Sequence, residues 1–472
     1  MKYTGVEFLF FLILSVAVVW FVWEDSDSST AIPDYSTTRL LAEQGDSEAQ
    51  YQLGLLLLRG QGVTSDPEEA QLWFQKSADS GNAHAEFQVS QYYDRKYQSS
   101  QVPEHGINSF NWLKKACDNG SWEAQTKMGQ IYLDGLRIDG LEISPDQRTA
   151  AAWFRRAAKN GGSNANYQLA KLLDANPKLA KNGEESFDYY KEAAEQGNPD
   201  AQYWLGVVYL EGKLTRPNHS LAMELMNKAA QQGQPYAEYM VATELEREGK
   251  IQEALSYYAR SAEQGFAEAD YRIGLIYRFG KVIEADLEKA EYHFTKATKL
   301  GHVGAKKERI ILLAEQGDAE YQYYYGNLYM KHYYDDNMRD SWKHDQAYFW
   351  YEKSANQGYA WAQNTMGQKL YLGNPAKAFD WFQQAAHQGL SPAQWNLALM
   401  YLEGEVVERN WLTANMWRII SESNRPAGDM YAYGRVNAHL RFNALTESEL
   451  EQVEELVRRC VETDYEVCSE SR

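Results

Sequence analysis

Cysteine occurs three times in 472 residues and proline eleven times, and 47 Lys and Arg face 66 Asp and Glu. Each shortage excludes something. With 44% hydrophobic and 24% charged residues and so little proline, the chain is folded and not disordered. A net charge of −19 repels phosphate backbones and argues against a nucleic-acid partner. The nine histidines show neither HExxH spacing nor Cys–His pairing, so no metal or cofactor is expected. No Gly-x-Ser-x-Gly elbow is present, and no catalytic residues are assigned. Gly206–Lys213 and Gly274–Lys281 mimic phosphate loops, but five residues separate their glycines and neither Lys precedes Ser or Thr.

What is present begins with an apolar run. Phe8–Trp23 is sixteen residues without a charge, near the length of a short membrane span once its flank is added. Lys2 precedes it and Glu24 follows, which keeps the amino terminus in the cytoplasm and sends the bulk of the chain across. Trp20 and Trp23 suit an interfacial belt, and no cysteine near the run offers a lipid anchor. The rival is a cleaved signal peptide with processing near Ala31.

Beyond residue 40 the chain repeats itself. Glycine closes an Ala-x-x-Gly-like segment at Gly45, Gly81, Gly120, Gly161, Gly197, Gly233, Gly265, Gly301, Gly317, Gly358 and Gly389, at spacings of 31 to 41 except for one of 16. That period belongs to a helix–loop–helix repeat. In Asn198–Gly212, Asn198 caps, Pro199 starts a helix, and Ala201, Leu205, Val208 and Tyr209 share a face. Gly206 leaves a notch for a second helix, and Gly54, Gly129, Gly274, Gly326 and Gly367 recur in that place. The expectation is an all-α solenoid of about ten repeats behind one N-terminal transmembrane helix.

The first unit, Ala49–Gly81, resembles a Sel1-like repeat most clearly. It carries Ala49, Leu53 and Gly54, the Gly60-x-Gly62-Val63 loop, Asp66, Ala70, Trp73-Phe74, and a closing Ala78 and Gly81. Later units depart from the loop pattern at Tyr92–Gly106 and Tyr132–Asp146. The resemblance covers about four-fifths of the chain and implies a generic interaction module. It therefore implies a non-enzymatic protein–protein interaction scaffold or adaptor of the bacterial cell envelope. The inner membrane would hold it by a single pass, with the repeats in the periplasm. Alternatives are an exported virulence or host-recognition factor released by signal cleavage, and an envelope glycan hydrolase.

The expected organisation is an anchor at 1–24, a linker at 25–35, seven units at 36–301, a break at 302–317, three units at 318–423 and a cap at 424–472. The heptapeptide LLAEQGD, at Leu40–Asp46 and again at Leu312–Asp318, marks the array's open end and the break. The break is read as an unpaired helix, or as a shortened repeat absorbed by local packing. In the tail, Thr446 and Glu449 form a capping box ahead of an amphipathic helix. A turn at Thr463–Glu466 could return Cys468 to Cys460, and similar tails occur on some bacterial Sel1-like proteins; the alternative is two free thiols.

One slot points to a partner surface. Two residues after the first-helix alanine stand Tyr51, Phe87, Tyr167, Tyr203, Tyr239, Tyr271, Tyr323 and Trp395, with Thr126 and Asn364 as exceptions. The slot lies about 200° from that alanine. It reads either as an aromatic ladder on a concave face for a protein segment or a glycan, or as rings wedged between adjacent repeats. A second candidate is Tyr321–Trp361, with fourteen aromatics in 41 residues.

Overall fold

The computed structural model describes residues 34–182, 184–212, 215–280, 283–335, 338, 340–424, 445–466 and 468. The expected anchor at 1–24 and most of the linker lie outside them. Among the described residues no helix is long and apolar enough to cross a membrane. These residues form 23 α-helices and one two-stranded hairpin, in two compact units, 1–205 and 206–472.

The first unit opens on a helix at Tyr35–Glu43, and four helix pairs follow. They are Ser47–Arg59 with Pro67–Asp79, Ala83–Ser100 with Pro103–Asp118, Trp122–Asp134 with Gln147–Lys159, and Ser163–Ala175 with Glu185–Glu195. Local chemistry explains their limits. Asp46, Asp66, Asn82, Ser121 and Asp146 each accept a backbone N–H in the first turn of the helix they precede. Gly60 ends its helix in the left-handed conformation, φ 66°, where a side chain would strain the backbone.

The notch glycines Gly54 and Gly129 seat one ring each, while Gly206 seats the Met226 side chain. A Cβ on Gly54 would stand 2.5 Å from Phe74 Cε1, and one on Gly129 would stand 2.6 Å from Phe154 Cε1. Helix pairs can then close around a buried aromatic with no void between them. Neighbouring repeats are joined by a buried amide. Gln50 Nε2 donates to Ala42 O at 3.1 Å, and Gln125 Nε2 to Cys117 O at 3.0 Å, each from a first helix to the second-helix end before it. In the second repeat the slot holds Glu86, fully buried, which cannot donate. Lys115 Nζ donates in its place to Ala78 O at 3.3 Å and pairs with Glu86 at 3.0 Å. A buried carboxylate without that cation would be strongly destabilising.

The third repeat replaces its connecting loop with strands β1 (Leu136–Ile138) and β2 (Leu141–Ile143), paired antiparallel. Ile138 is buried against the second repeat, where a Cβ on Gly106 would meet its Cδ1 at 2.7 Å.

The second unit continues the pattern. Gly274 meets Phe294, Gly326 meets Tyr351 and Gly367 meets Phe382, at 2.5–2.6 Å from a built Cβ. Between Leu287–Lys299 and Ala319–Asp335 stands the single helix Val303–Glu315. It starts as a first helix does, with His302 as its cap and Ala305 fully buried. It ends as a second helix does, with Ala314 O accepting from Gln322 Nε2 at 3.3 Å. Ala42 plays the same part for Gln50, so both copies of LLAEQGD build the surface on which a new first helix docks.

The unit closes with a helix at Glu447–Glu462. Thr446 and Glu449 form the capping box, and Val453, Leu456 and Cys460 pack into a core with Phe382, Leu397, Met416 and Trp417. Cys460 is bonded to Cys468. The turn between them uses Asp464 and Tyr465 at positive φ, and the Tyr465 N–H donates to Cys460 O at 2.9 Å. Loop entropy for a separation of 8 residues puts the bond at about 2.5 kcal/mol of cap stability. Reduction is therefore expected to open this helix to protease before the preceding repeats. Equal cleavage rates with and without reductant would contradict that.

Candidate binding site

The eight rings of the aromatic slot do not form an exposed ladder. Seven are half-buried, and Trp395 is fully buried. Five of them, Tyr51, Tyr167, Tyr239, Tyr271 and Tyr323, pair with the bulky ring of their own second helix or with the residue that opens the next first helix. Tyr51 stacks on His84 at 5.7 Å and lies 6.0 Å from Phe74. Tyr167 meets Tyr190, Tyr239 meets Tyr258 and Phe266, Tyr271 stacks on His302, and Tyr323 meets Tyr351 and Tyr359. Tyr203 is half-buried in the same slot. Burial pushes the Tyr51 and Tyr167 hydroxyls up to about 12, so neither ionises near neutrality. These five rings are wedges. The 200° offset turns them away from their own alanine, and a neighbouring repeat occupies that direction.

Phe87 differs, because it lines a cavity of about 320 Å³ in the first unit. The cavity lies between the second and third repeats, both of which depart from the standard loop. The helix Ala83–Ser100 runs 18 residues where the first helices Ser47–Arg59, Trp122–Asp134 and Ser163–Ala175 of the same unit run 13, and it carries Phe87, Gln91, Asp94 and Arg95 along one side. Helix Pro103–Asp118 supplies the floor with Gly106, Phe110 and Leu113, helix Trp122–Asp134 adds Lys127 and Ile131, and β1 adds Leu136 and Ile138. On the floor Ser90 Oγ and Ser109 O are 2.9 Å apart, and Ser109 Oγ donates to Ser90 O at 3.0 Å. Those hydroxyls are thereby satisfied; the other lining residues divide into apolar walls and the polar Gln91, Asp94, Arg95 and Lys127.

Beside this cavity His84 Nδ1 lies 3.0 Å from Glu123 Oε1, linking the first helices of the second and third repeats. The bond to Glu123 raises the His84 pKa above its ordinary 6.5. Burial pushes the Glu123 carboxyl up, but His84, the Glu123 backbone N–H and Ser121 outweigh it and leave the pKa below 4.5. The His84 contribution is complete below about pH 6.5 and fades as pH rises through the raised value, while the Glu123 contribution fades as pH falls through the lowered one. A double-mutant cycle on His84→Gln and Glu123→Gln should give a coupling of about 0.5 kcal/mol near pH 6, because solvent screens a half-exposed pair. The coupling should shrink by pH 8.5, and a coupling flat in pH would contradict the assignment.

Among the described residues no group of three His, Cys, Asp or Glu side chains is placed to hold a metal ion. Cys117 is buried, and burial pushes its thiol up to about 12. The aromatic-rich segment is divided: Tyr351 is core, while Tyr334, Trp342, Phe349 and Trp361 are exposed.

A profile of the Sel1 repeat matches ten segments: 47–82, 83–121, 122–162, 163–198, 199–234, 235–266, 267–302, 319–359, 366–390 and 391–417. The chain belongs to the Sel1 repeat family. The profile omits 303–318, the single helix that begins as one repeat element and ends as another. Sel1 repeat proteins generally act as protein–protein interaction scaffolds, and their solenoid is typically non-catalytic.

The chain is 27% identical over 187 residues to DAP3-binding cell death enhancer 1 of Rattus norvegicus, covering 40% of this chain and 35% of that protein. It is 27% identical over 172 residues to an uncharacterised protein of Neisseria meningitidis, covering 29% of this chain and 35% of that one. It thus spans about a third of the length of these curated relatives. Among solved structures it is similar to the protective antigen c5321 of uropathogenic Escherichia coli, which displays the same repeat fold. The identity is 25%, with 91% of this chain and 96% of that one covered and a TM-score of 0.46. A Sel1 repeat protein of Oxalobacter formigenes is 27% identical over 58% of this chain and 78% of its own, with a TM-score of 0.41.

Of the cavity's residues, the sequence assigns a binding role only to Phe87, as a rung of the ladder. A signal was present in the two loop departures at Tyr92–Gly106 and Tyr132–Asp146, which supply the extra helical turns and the hairpin that enclose the cavity.

Proposed function

We propose that this Sel1 repeat protein is a non-enzymatic scaffold of a bacterial cell envelope. The apolar segment at 8–23 tethers it to the inner membrane, and its repeats lie on the periplasmic side, where they hold a partner protein. The cavity between the second and third repeats carries the binding part of this reading. It joins an apolar interior to charged side chains on a repeat surface, which is what side-chain recognition requires. The compartment rests on the bond between Cys460 and Cys468, since disulfides persist in oxidising compartments.

Acid quench of intact cells, alkylation and non-reducing peptide mapping test this reading. A linked Cys460–Cys468 pair together with a mature chain starting at Met1 is the expected result. Two alkylated thiols would overturn the periplasmic placement, and a mature chain starting near Ile32 would replace the tether with release.

A further inference from the structure

Cations are the minority charge on this chain, and many of those on the repeats sit beside an acid. Arg155 pairs with Glu185, and Arg137 of the hairpin pairs with Glu142. Arg95 and Lys127 do not follow that pattern. Both are exposed, both line the cavity between the second and third repeats, and among the described residues neither is engaged by a carboxylate. They stand on different helices, Ala83–Ser100 and Trp122–Asp134, on the rim of one apolar interior. Asp94 shares that rim. The rim therefore carries a net charge of about +1 on a chain whose total is −19.

The apolar walls are equally specific about what enters. Phe87, Phe110, Ile131 and Leu136 are each half-buried and face the open volume together with the buried Leu113 and Ile138. A volume of about 320 Å³ holds one large side chain and its adjoining backbone, but not a packed domain surface. Ile138 rests on Gly106, whose missing side chain leaves that contact open, so the interior is maintained by the fold.

Resting on the scaffold reading above, we infer that this cavity receives an extended segment of a partner protein. The segment's large apolar side chain enters between Phe87, Phe110 and Ile131, and the side-chain carboxylate of a neighbouring Asp meets Arg95 and Lys127. Asp94 accepts a backbone N–H of the same segment. The rim's single net positive charge matches one carboxylate and not a dianionic phosphate, for which Asp94 would be repulsive.

The test uses the folded chain and fluorescein-labelled hexapeptides read by anisotropy. The probes are Gly-Ser-Gly-Leu-Asp-Gly with an amidated end, the same peptide with Asn for Asp or Ala for Leu, and Gly-Ser-Gly-Gly-Ser-Leu with a free carboxylate. A phosphoserine version in place of Asp completes the set. The Leu-Asp peptide is expected to bind in the micromolar to submillimolar range, and tighter binding of the free-ended Leu peptide would overturn the assignment of the carboxylate to a side chain. The Asn and Ala forms should each bind at least tenfold more weakly. The double variant Arg95→Glu/Lys127→Glu changes only exposed side chains and should keep its helical signal while losing at least tenfold in affinity.

Equal affinity of the Asn form, unchanged affinity of the double variant, or no binding by any peptide would overturn the inference. Tighter binding of the phosphoserine peptide would overturn the carboxylate assignment. These outcomes are independent of the disulfide and amino-terminus mapping, so a misplaced compartment and an incorrect ligand class are separately visible.

Discussion

Truncating Phe154 to alanine is expected to cost the third repeat about 3–5 kcal/mol. The ring is fully buried between the two helices of that repeat and fills the notch left by Gly129, whose hypothetical Cβ would stand 2.6 Å from its Cε1. The reverse substitution meets the same constraint from the other side. Replacing a solvent-facing helical glycine by alanine normally gains about 1 kcal/mol. At Gly129 the clash should reverse that sign, and Gly129→Leu should lose at least 1–3 kcal/mol through overpacking.

Combining Gly129→Leu with Phe154→Ala exchanges volume across the interface. The pair should therefore be more stable than the sum of the two single losses by about 1–3 kcal/mol, the range of coupling between residues in contact. Repeats unfold in part-independent segments, so amide exchange over residues 122–159 is the measurement, and not one global midpoint. Simple additivity would mean that the notch and the ring are not one packing unit.

Trp395→Ala should also be severe, at about 3–5 kcal/mol in the C-terminal unit. Trp395 is 1% exposed and packs with Leu399, Leu402 and Ala414. Tyr51 stands in the same slot of the first repeat but is only half-buried, and its truncation should cost about 1 kcal/mol, in proportion to the apolar area lost. A binding ladder would behave differently, with small stability effects at every rung and losses confined to partner affinity. Urea unfolding of each variant, followed beside the peptide anisotropy, separates the two. Small losses in both the Trp395 and Tyr51 variants would restore the ladder.

The repeat architecture was legible because each of its rules is local. Asp66 before Pro67 states a helix start, Gly60 states a stop, and Ala70 with Trp73-Phe74 states a face; recurrence of these at a fixed spacing leaves few folds to choose among. The two LLAEQGD copies were readable for the same reason, since a helix end with its terminator needs only neighbouring residues. The hairpin at 136–143 was visible as an irregular length, but not as strands, because its pairing is stabilised by Ile138 docking on Gly106 of the previous repeat.

By itself, then, the order of residues determined the helix pairs, their number, the odd helix at 303–315 and the buried faces. These follow from caps, propensities and a 3.6-residue period acting within about forty positions. Tertiary structure decided what the remaining side chains are for. Tyr51 and Phe87 occupy identical slots, yet Tyr51 is closed off by His84 while Phe87 opens on a cavity. The difference arises from an 18-residue helix and a β-hairpin, whose effect is expressed only where two repeats meet. Exposure depends on what stands opposite a side chain, and that neighbour comes from a different part of the chain.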